Sequence, residues 1–118
     1  METHNPDDGL AVYVKEVSNV EPLIKDEEAK LFRELAGPGV WDQRREIVAR
    51  RLIEVHLVQV VSIAQKYSTS GVPMLDLIQE GNLGLMDAVR NFAEKPIGDF
   101  GDYAAMCIDD AIKRRLGS

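Results

Sequence analysis

Apolar residues recur along this chain at helical spacing almost from end to end, and the breaks between them divide it into about five helices. Leu10, Tyr13, Val14 and Val17 stand at i, i+3, i+4 and i+7 and predict a short amphipathic helix that Pro22 closes off. Asp26 is placed to cap a second helix, with Ala29, Phe32 and Leu35 or Ala36 turned inward. Gly37-Pro38-Gly39 stops it. A long third helix is predicted to start near Asp42 and reach Tyr67, carrying Ile47, Leu52, Val55, Val58 and Val61. Over residues 57–64 it is apolar on nearly every side, the pattern of a central helix packed by several neighbours. Residues 68–71 end it. Pro73 suits the first turn of a fourth helix running to about Phe92. Gly81 and Gly84 inside that helix each cost about 1 kcal/mol relative to Ala, so they predict the close approach of a neighbouring helix. Past Pro96 and Gly98, the positions Phe100, Tyr103, Ala104, Cys107, Ala111 and Ile112 define a fifth helix ending near Gly117. No segment sustains strand alternation. The expected fold class is therefore all-α: a compact bundle of about five helices centred on residues 52–67 and 74–92.

The 118 residues suffice for one domain with one modest core. Within it the pattern separates a polar, flexible N-terminus over residues 1–8, a helical element over 9–40 and a helical domain over 41–118. The net charge of −6 is unusual for a nucleic-acid binder, whose affinity rests on Lys and Arg at phosphates. A DNA contact would need a local basic patch. The single cysteine, Cys107, excludes an intramolecular disulfide and reads as a small core residue rather than a reactive thiol. The absence of a secretory leader at Met1 and of a long apolar run predicts a cytoplasmic protein with no membrane contact. His4 falls in the frayed terminus, and His56 reads as a surface or satisfied polar group. No catalytic constellation, metal spacing or cofactor motif is present, so the expectation is a non-enzyme without a cofactor. Trp41 reads as an apolar anchor at a helix start. The pairs Arg44-Arg45 and Arg50-Arg51 are expected to be solvated or paired with Glu46 and Glu54.

Residues 75–85 read LDLIQEGNLGL and carry the most specific signal. On a helix, Asp76, Gln79 and Glu80 line one face, while Leu77, Ile78, Leu85, Val89 and Phe92 lie largely on another. Charge spacing alone fits a merely solvated face. The run, however, resembles the core-binding segment of bacterial RNA polymerase sigma factors of the sigma-70 family. The stretch from Arg50 or Arg51 to Phe92 is similar to regions 2.1 and 2.2 of that family. GLAVYVKEVSNVEPLIKDEEAKLFREL is similar to region 1.2. The resemblance spans about residues 8–116 and is sharpest in LIQEGNLGLM. It implies an all-α domain that docks on a coiled coil of the polymerase β′ subunit. By the same resemblance the docking residues are Leu75, Asp76, Gln79, Glu80, Asn82 and Met86. Such a face is suited to receive arginines in bidentate pairs.

The chain departs from that family after Phe92. The corresponding segment in typical members is basic and aromatic: its aromatics trap flipped bases of the minus-ten promoter element, and its basic residues hold phosphates. Both parts are needed, a stacking platform and an electrostatic funnel. Here residues 94–116 read EKPIGDFGDYAAMCIDDAIKRRL. Gly98 stands in place of an aromatic and Asp99 in place of a Lys. Met106 and Cys107 replace paired tryptophans, and Asp109 and Asp110 replace an Arg-Gln pair. Stacking is worth about 1–3 kcal/mol per base, so losing the tryptophans matters. Asp99, Asp102, Asp109 and Asp110 add repulsion toward phosphates. Weakened or altered minus-ten recognition is therefore expected.

Phe100, Tyr103, Lys113 and Arg114 are the remaining candidate DNA contacts. At helical spacing with Ala104 and Cys107 the two aromatics fit a core better than a platform for bases, and Lys113, Arg114 and Arg115 fit the dipole at a helix C-terminus somewhat better than a DNA patch. Two functions stay open. One is a sigma-70-like transcription initiation domain that binds core RNA polymerase and touches promoter DNA weakly. The other is a sigma mimic or protein-interaction module that binds polymerase or an anti-sigma factor without melting DNA. No counterpart of region 4 follows, so the chain is expected to be either part of a longer sigma factor or a stand-alone protein.

Overall fold

The computed structural model describes residues 8–37 and 42–117. Every regular element among them is an α-helix: α1 (Asp8–Ser18), α2 (Lys25–Ala36), α3 (Asp42–Glu54), α4 (Leu57–Gln65), α5 (Met74–Glu94) and α6 (Phe100–Gly117). This is the expected all-α bundle. The readings made for His4, Pro38, Gly39 and Trp41 fall outside the described residues.

One element differs. The long third helix is divided at Val55-His56 into α3 and α4. His56 turns with φ −108° and ψ 2°, and its N–H bonds to Ile53 O, three residues back, at 3.0 Å. The Gln59 and Val60 N–H groups then restart the helix on His56 O. The end of this stretch tightens as well. Lys66, Tyr67 and Ser68 each bond three residues back, so residues expected to be helical wind as turns after Gln65.

Two helix starts are corrected. Ile24, not Asp26, occupies the N-cap of α2. An isoleucine side chain accepts no hydrogen bond, so Glu27 reaches back instead, its Oε1 accepting from Ile24 N–H at 3.2 Å. Asp26 contributes through the dipole, with Glu27 and Glu28 beside it in the first turn. Pro73 sits one position earlier than expected, at the N-cap of α5. Its carbonyl accepts from Asp76 N–H at 3.0 Å and Leu77 N–H at 3.2 Å. The inward face of α2 also differs: Phe32 is buried, but Ala29 and Ala36 are exposed and Glu28 turns in.

The centre of the bundle is α5, which packs most extensively on α6 and then on α4. Leu52, Val60, Leu77, Leu85, Ala88, Ile108 and Ile112 form its closed core. The two glycines of α5 make the close approach possible. A Cβ on Gly84 would lie 2.7 Å from Cys107 O and 2.9 Å from Ala111 Cβ. One on Gly81 would meet Val60 Cγ1 at 2.7 Å. At the other end, Phe32, Phe92 and Phe100 pack ring against ring with centroids 4.8–5.2 Å apart.

Candidate functional site

Because Gly81 and Gly84 pin one side of α5 to its neighbours, the opposite side must face outward. A helix turns about 100° per residue, so Leu75, Gln79, Leu83 and Met86 fall within roughly 80° of one another there. All four are exposed, with Leu75 at 48%, Leu83 at 55% and Met86 at 44%. Asp76 and Glu80 lie along one edge of this arc, both partly exposed. Asp76 Oδ2 is 3.9 Å from Arg115 Nη2 of α6, a long and solvent-exposed pair worth little. Five of the six residues named from the sequence thus share one accessible surface.

Asn82 is the exception. Its Nδ2 donates to the Tyr13 hydroxyl of α1 at 3.4 Å. Its Oδ1 is closed to solvent and accepts no hydrogen bond from the described residues. Asn82 therefore ties α1 to α5 instead of pointing outward. Leu83 was missed. The spacing of Gly81 and Gly84 could have found it, because the side opposite two packed glycines is the outer one.

On α6 the two aromatics follow the core reading rather than the DNA-contact one. Phe100 is only 3% exposed and stacks within the phenylalanine cluster, so its ring offers no face for a base. Tyr103 is half-buried, tilted against Phe92 at 6.0 Å. The neighbouring Cys107 side chain, together with burial, raises the Tyr103 pKa above the ordinary tyrosine value.

Two of the four aspartates serve the fold. Asp99 precedes the first residue of α6, and its Oδ2 accepts the Asp102 N–H at 3.1 Å, a helix N-cap. That bond, with Lys25 of α2 at 3.5 Å, holds its carboxyl below the usual range. Asp109 accepts a hydrogen bond from the Tyr67 hydroxyl and pairs with Lys113 Nζ at 2.9 Å. The Tyr67 bond, then Lys113, lowers the Asp109 pKa, and the Asp109 carboxylate in turn raises those of Tyr67 and Lys113. Asp102 and Asp110 remain exposed. Of the basic residues that close α6, Lys113 is thus tied to Asp109 and Arg115 lies near Asp76, while Arg114 is exposed.

The arginines of α3 were expected beside Glu46 and Glu54. Arg50 does pair with Glu46, at 3.8 Å. Arg44 instead forks onto both oxygens of Glu34, at 2.8 and 3.0 Å from Nη2. Arg45 donates to Leu35 O and Gly37 O, and Arg51 to Glu21 O. They hold the C-terminal end of α2 and the α1–α2 connection against α3. His56 is a satisfied polar group: Nε2 lies 2.7 Å from Glu28 Oε2 and Nδ1 3.1 Å from Gln59 Oε1. Gln59 in turn donates to Gly101 O at 2.9 Å, linking the α3–α4 break to the start of α6. Among the described residues no helix is long and apolar enough to cross a membrane.

Comparison with known proteins agrees with the helices that carry this face. A family model described as sigma-70 region 2 matches residues 52–118, which include α4, α5 and α6. An RNA polymerase sigma factor SigA of Lactococcus lactis subsp. cremoris is 40% identical over 110 residues, covering 93% of this chain and 29% of that protein. SigA of Lactococcus lactis subsp. lactis strain IL1403 is 40% identical over 110 residues, covering 93% of this chain and 28% of that protein. A SigA of a Bacillus species is 38% identical over 109 residues, covering 92% and 27%. The chain thus spans less than a third of the length of these relatives. A bundle centred on α5, the motif on its outer helix face and the family match across α4 to α6 lead to one conclusion: this chain belongs to the sigma-70 region 2 family.

Proposed function

We propose that this chain is a sigma-like transcription initiation domain that docks on core RNA polymerase through the outer face of α5. The docking element on polymerase is the β′ coiled coil. Leu75 and Met86 supply apolar contact, Gln79 supplies hydrogen bonds, and Asp76 and Glu80 receive arginines. Asn82 acts behind the face by fixing α1. The observation that carries this reading is the exposure of Leu75, Gln79 and Met86 on a helix whose other side is locked by two glycines. Exposed leucine and methionine beside carboxylates on a rigid helix form a ready surface for a basic, apolar partner. The relatives named as RNA polymerase sigma factors support the same partner.

Minus-ten DNA recognition by this chain is weakened or altered. The burial of Phe100, the engagement of Lys113 by Asp109 and the exposed Asp102 and Asp110 support this. These observations also favour the second reading, a sigma mimic that occupies polymerase or an anti-sigma factor without melting DNA. Replacing Asp76 and Glu80 together by Arg should abolish binding to a β′ coiled-coil fragment. Unchanged binding would end the docking proposal.

A further inference from the structure

We propose that the docking face of α5 extends beyond the six named residues to Leu83 and Asp87, and that its partner carries a matching longer basic edge. This rests on the docking reading above and specifies the chemistry of the partner. Leu83 is more exposed than either Leu75 or Met86 and stands between them along the helix, at the acidic edge of the same arc. A single exposed leucine would mean little, but Leu83 joins Leu75 and Met86 in one apolar patch on one helix face, and such a patch marks an interaction surface. Asp87 lies between Asp76 and Glu80 in angular position, at about 100° of turn per residue, and so continues their edge.

The three carboxylates then form one acidic line beside one apolar stripe, and from Asp76 to Asp87 it runs about 16 Å along α5. Two of them carry only loose pairs within the chain. Asp87 Oδ1 is 3.3 Å from Arg90 Nη2, with 57% and 68% of those side chains exposed. Asp76 is 3.9 Å from Arg115. Such exposed pairs exchange readily for a partner's cation, since each contributes little by itself. The chemistry that fits is a helix with apolar residues along one seam and basic residues flanking it on a single side over three turns. An acidic or uniformly apolar segment would meet uncompensated charge along the edge.

Core RNA polymerase titrated with labelled full chain tests this. Leu83→Ala and Asp87→Lys should each weaken binding about tenfold or more, as a face of a few dominant contacts requires. Asp87→Asn should flatten the dependence of affinity on salt, which loss of packing alone would not do. The exposed residue Ile47 of α3 provides a control, and Ile47→Ala should leave the affinity unchanged. Thermal unfolding of each variant should match the parent, because Leu83 and Asp87 are both exposed. If Asp76→Arg with Glu80→Arg abolishes binding while Leu83→Ala and Asp87→Lys do not alter it, the extension is wrong and the docking face stands. If the double variant binds as well as the parent, the docking reading fails and the extension with it. A dimeric parent chain that Leu83→Ala renders monomeric, with polymerase affinity unchanged, would also overturn the proposal.

Discussion

The outer face of α5 and the stretch from Asp99 to Asp110, at the start of α6 and within it, are both rich in carboxylates, yet the two regions use them in opposite ways. On α5, Asp76 and Asp87 project from a rigid helix and hold only long or exposed partners. On α6, Asp99 closes the helix N-terminus and Asp109 is held between Tyr67 and Lys113. The difference teaches that acidity in a sequence does not identify a surface. What separates the two regions is whether the backbone and neighbouring side chains already consume the lone pairs. The α5 acids keep theirs largely exposed, while Asp99 and Asp109 spend theirs within the fold.

The same contrast applies to apolar residues. Leu75, Leu83 and Met86 stay outside, while Phe100 closes the core against Phe32 and Phe92. Replacing Phe100 by Ala should therefore give the largest stability loss, about 3–5 kcal/mol in denaturant unfolding. A near-neutral Phe100→Ala would return that ring to the surface. Gly84→Ala comes next. The added methyl meets the Cys107 carbonyl, which is backbone and cannot swing aside, so overpacking should cost about 1–3 kcal/mol.

A smaller effect is expected at Asp109. Its pKa is lowered in the folded state, so its interactions stabilise the fold above the ordinary carboxylate value of about 4 and are lost as pH falls through the folded value. Tyr67 and Lys113 are raised, so the same cluster stabilises below about pH 10 and weakens as pH rises through their folded values. Asp109→Asn should flatten both limbs of a stability–pH profile. Limbs identical to those of the parent would mean that the cluster is not formed in solution. The smallest structural effect belongs to Asp102→Asn with Asp110→Asn, which should leave thermal unfolding unchanged. Single-stranded DNA binding at low salt should strengthen in this variant, since these are the two of the four aspartates that stay exposed and repel phosphates, whereas Asp99 and Asp109 are held by the fold.

Much of this could be read from residue order, and the failures have physical causes. Gly81 and Gly84 announced the approach of neighbouring helices because nothing else justifies two glycines three residues apart in a helix. The break at His56 had no such signal. Neither Gly nor Pro marks it, and it arises where His56 meets Glu28 from a helix 28 residues earlier in sequence. Asp26 had the right chemistry for a cap but stood two residues past the position that the backbone turns at. Arg44 found Glu34 across the bundle, a pairing that depends on how α2 and α3 meet and not on spacing along either. Phe100 was legible as apolar and aromatic, but whether it faced bases or the core was fixed only by Phe32 arriving from α2.

The central claim is that polymerase docking is retained while minus-ten recognition is diminished. Two affinities measured on one sample test it most directly: that of the chain for core RNA polymerase, and that of the chain for a single-stranded minus-ten oligonucleotide at physiological salt. The account predicts firm polymerase binding that Asp76→Arg with Glu80→Arg removes, and poor oligonucleotide binding. Sub-micromolar, sequence-dependent oligonucleotide binding, or polymerase binding indifferent to the double substitution, would contradict it.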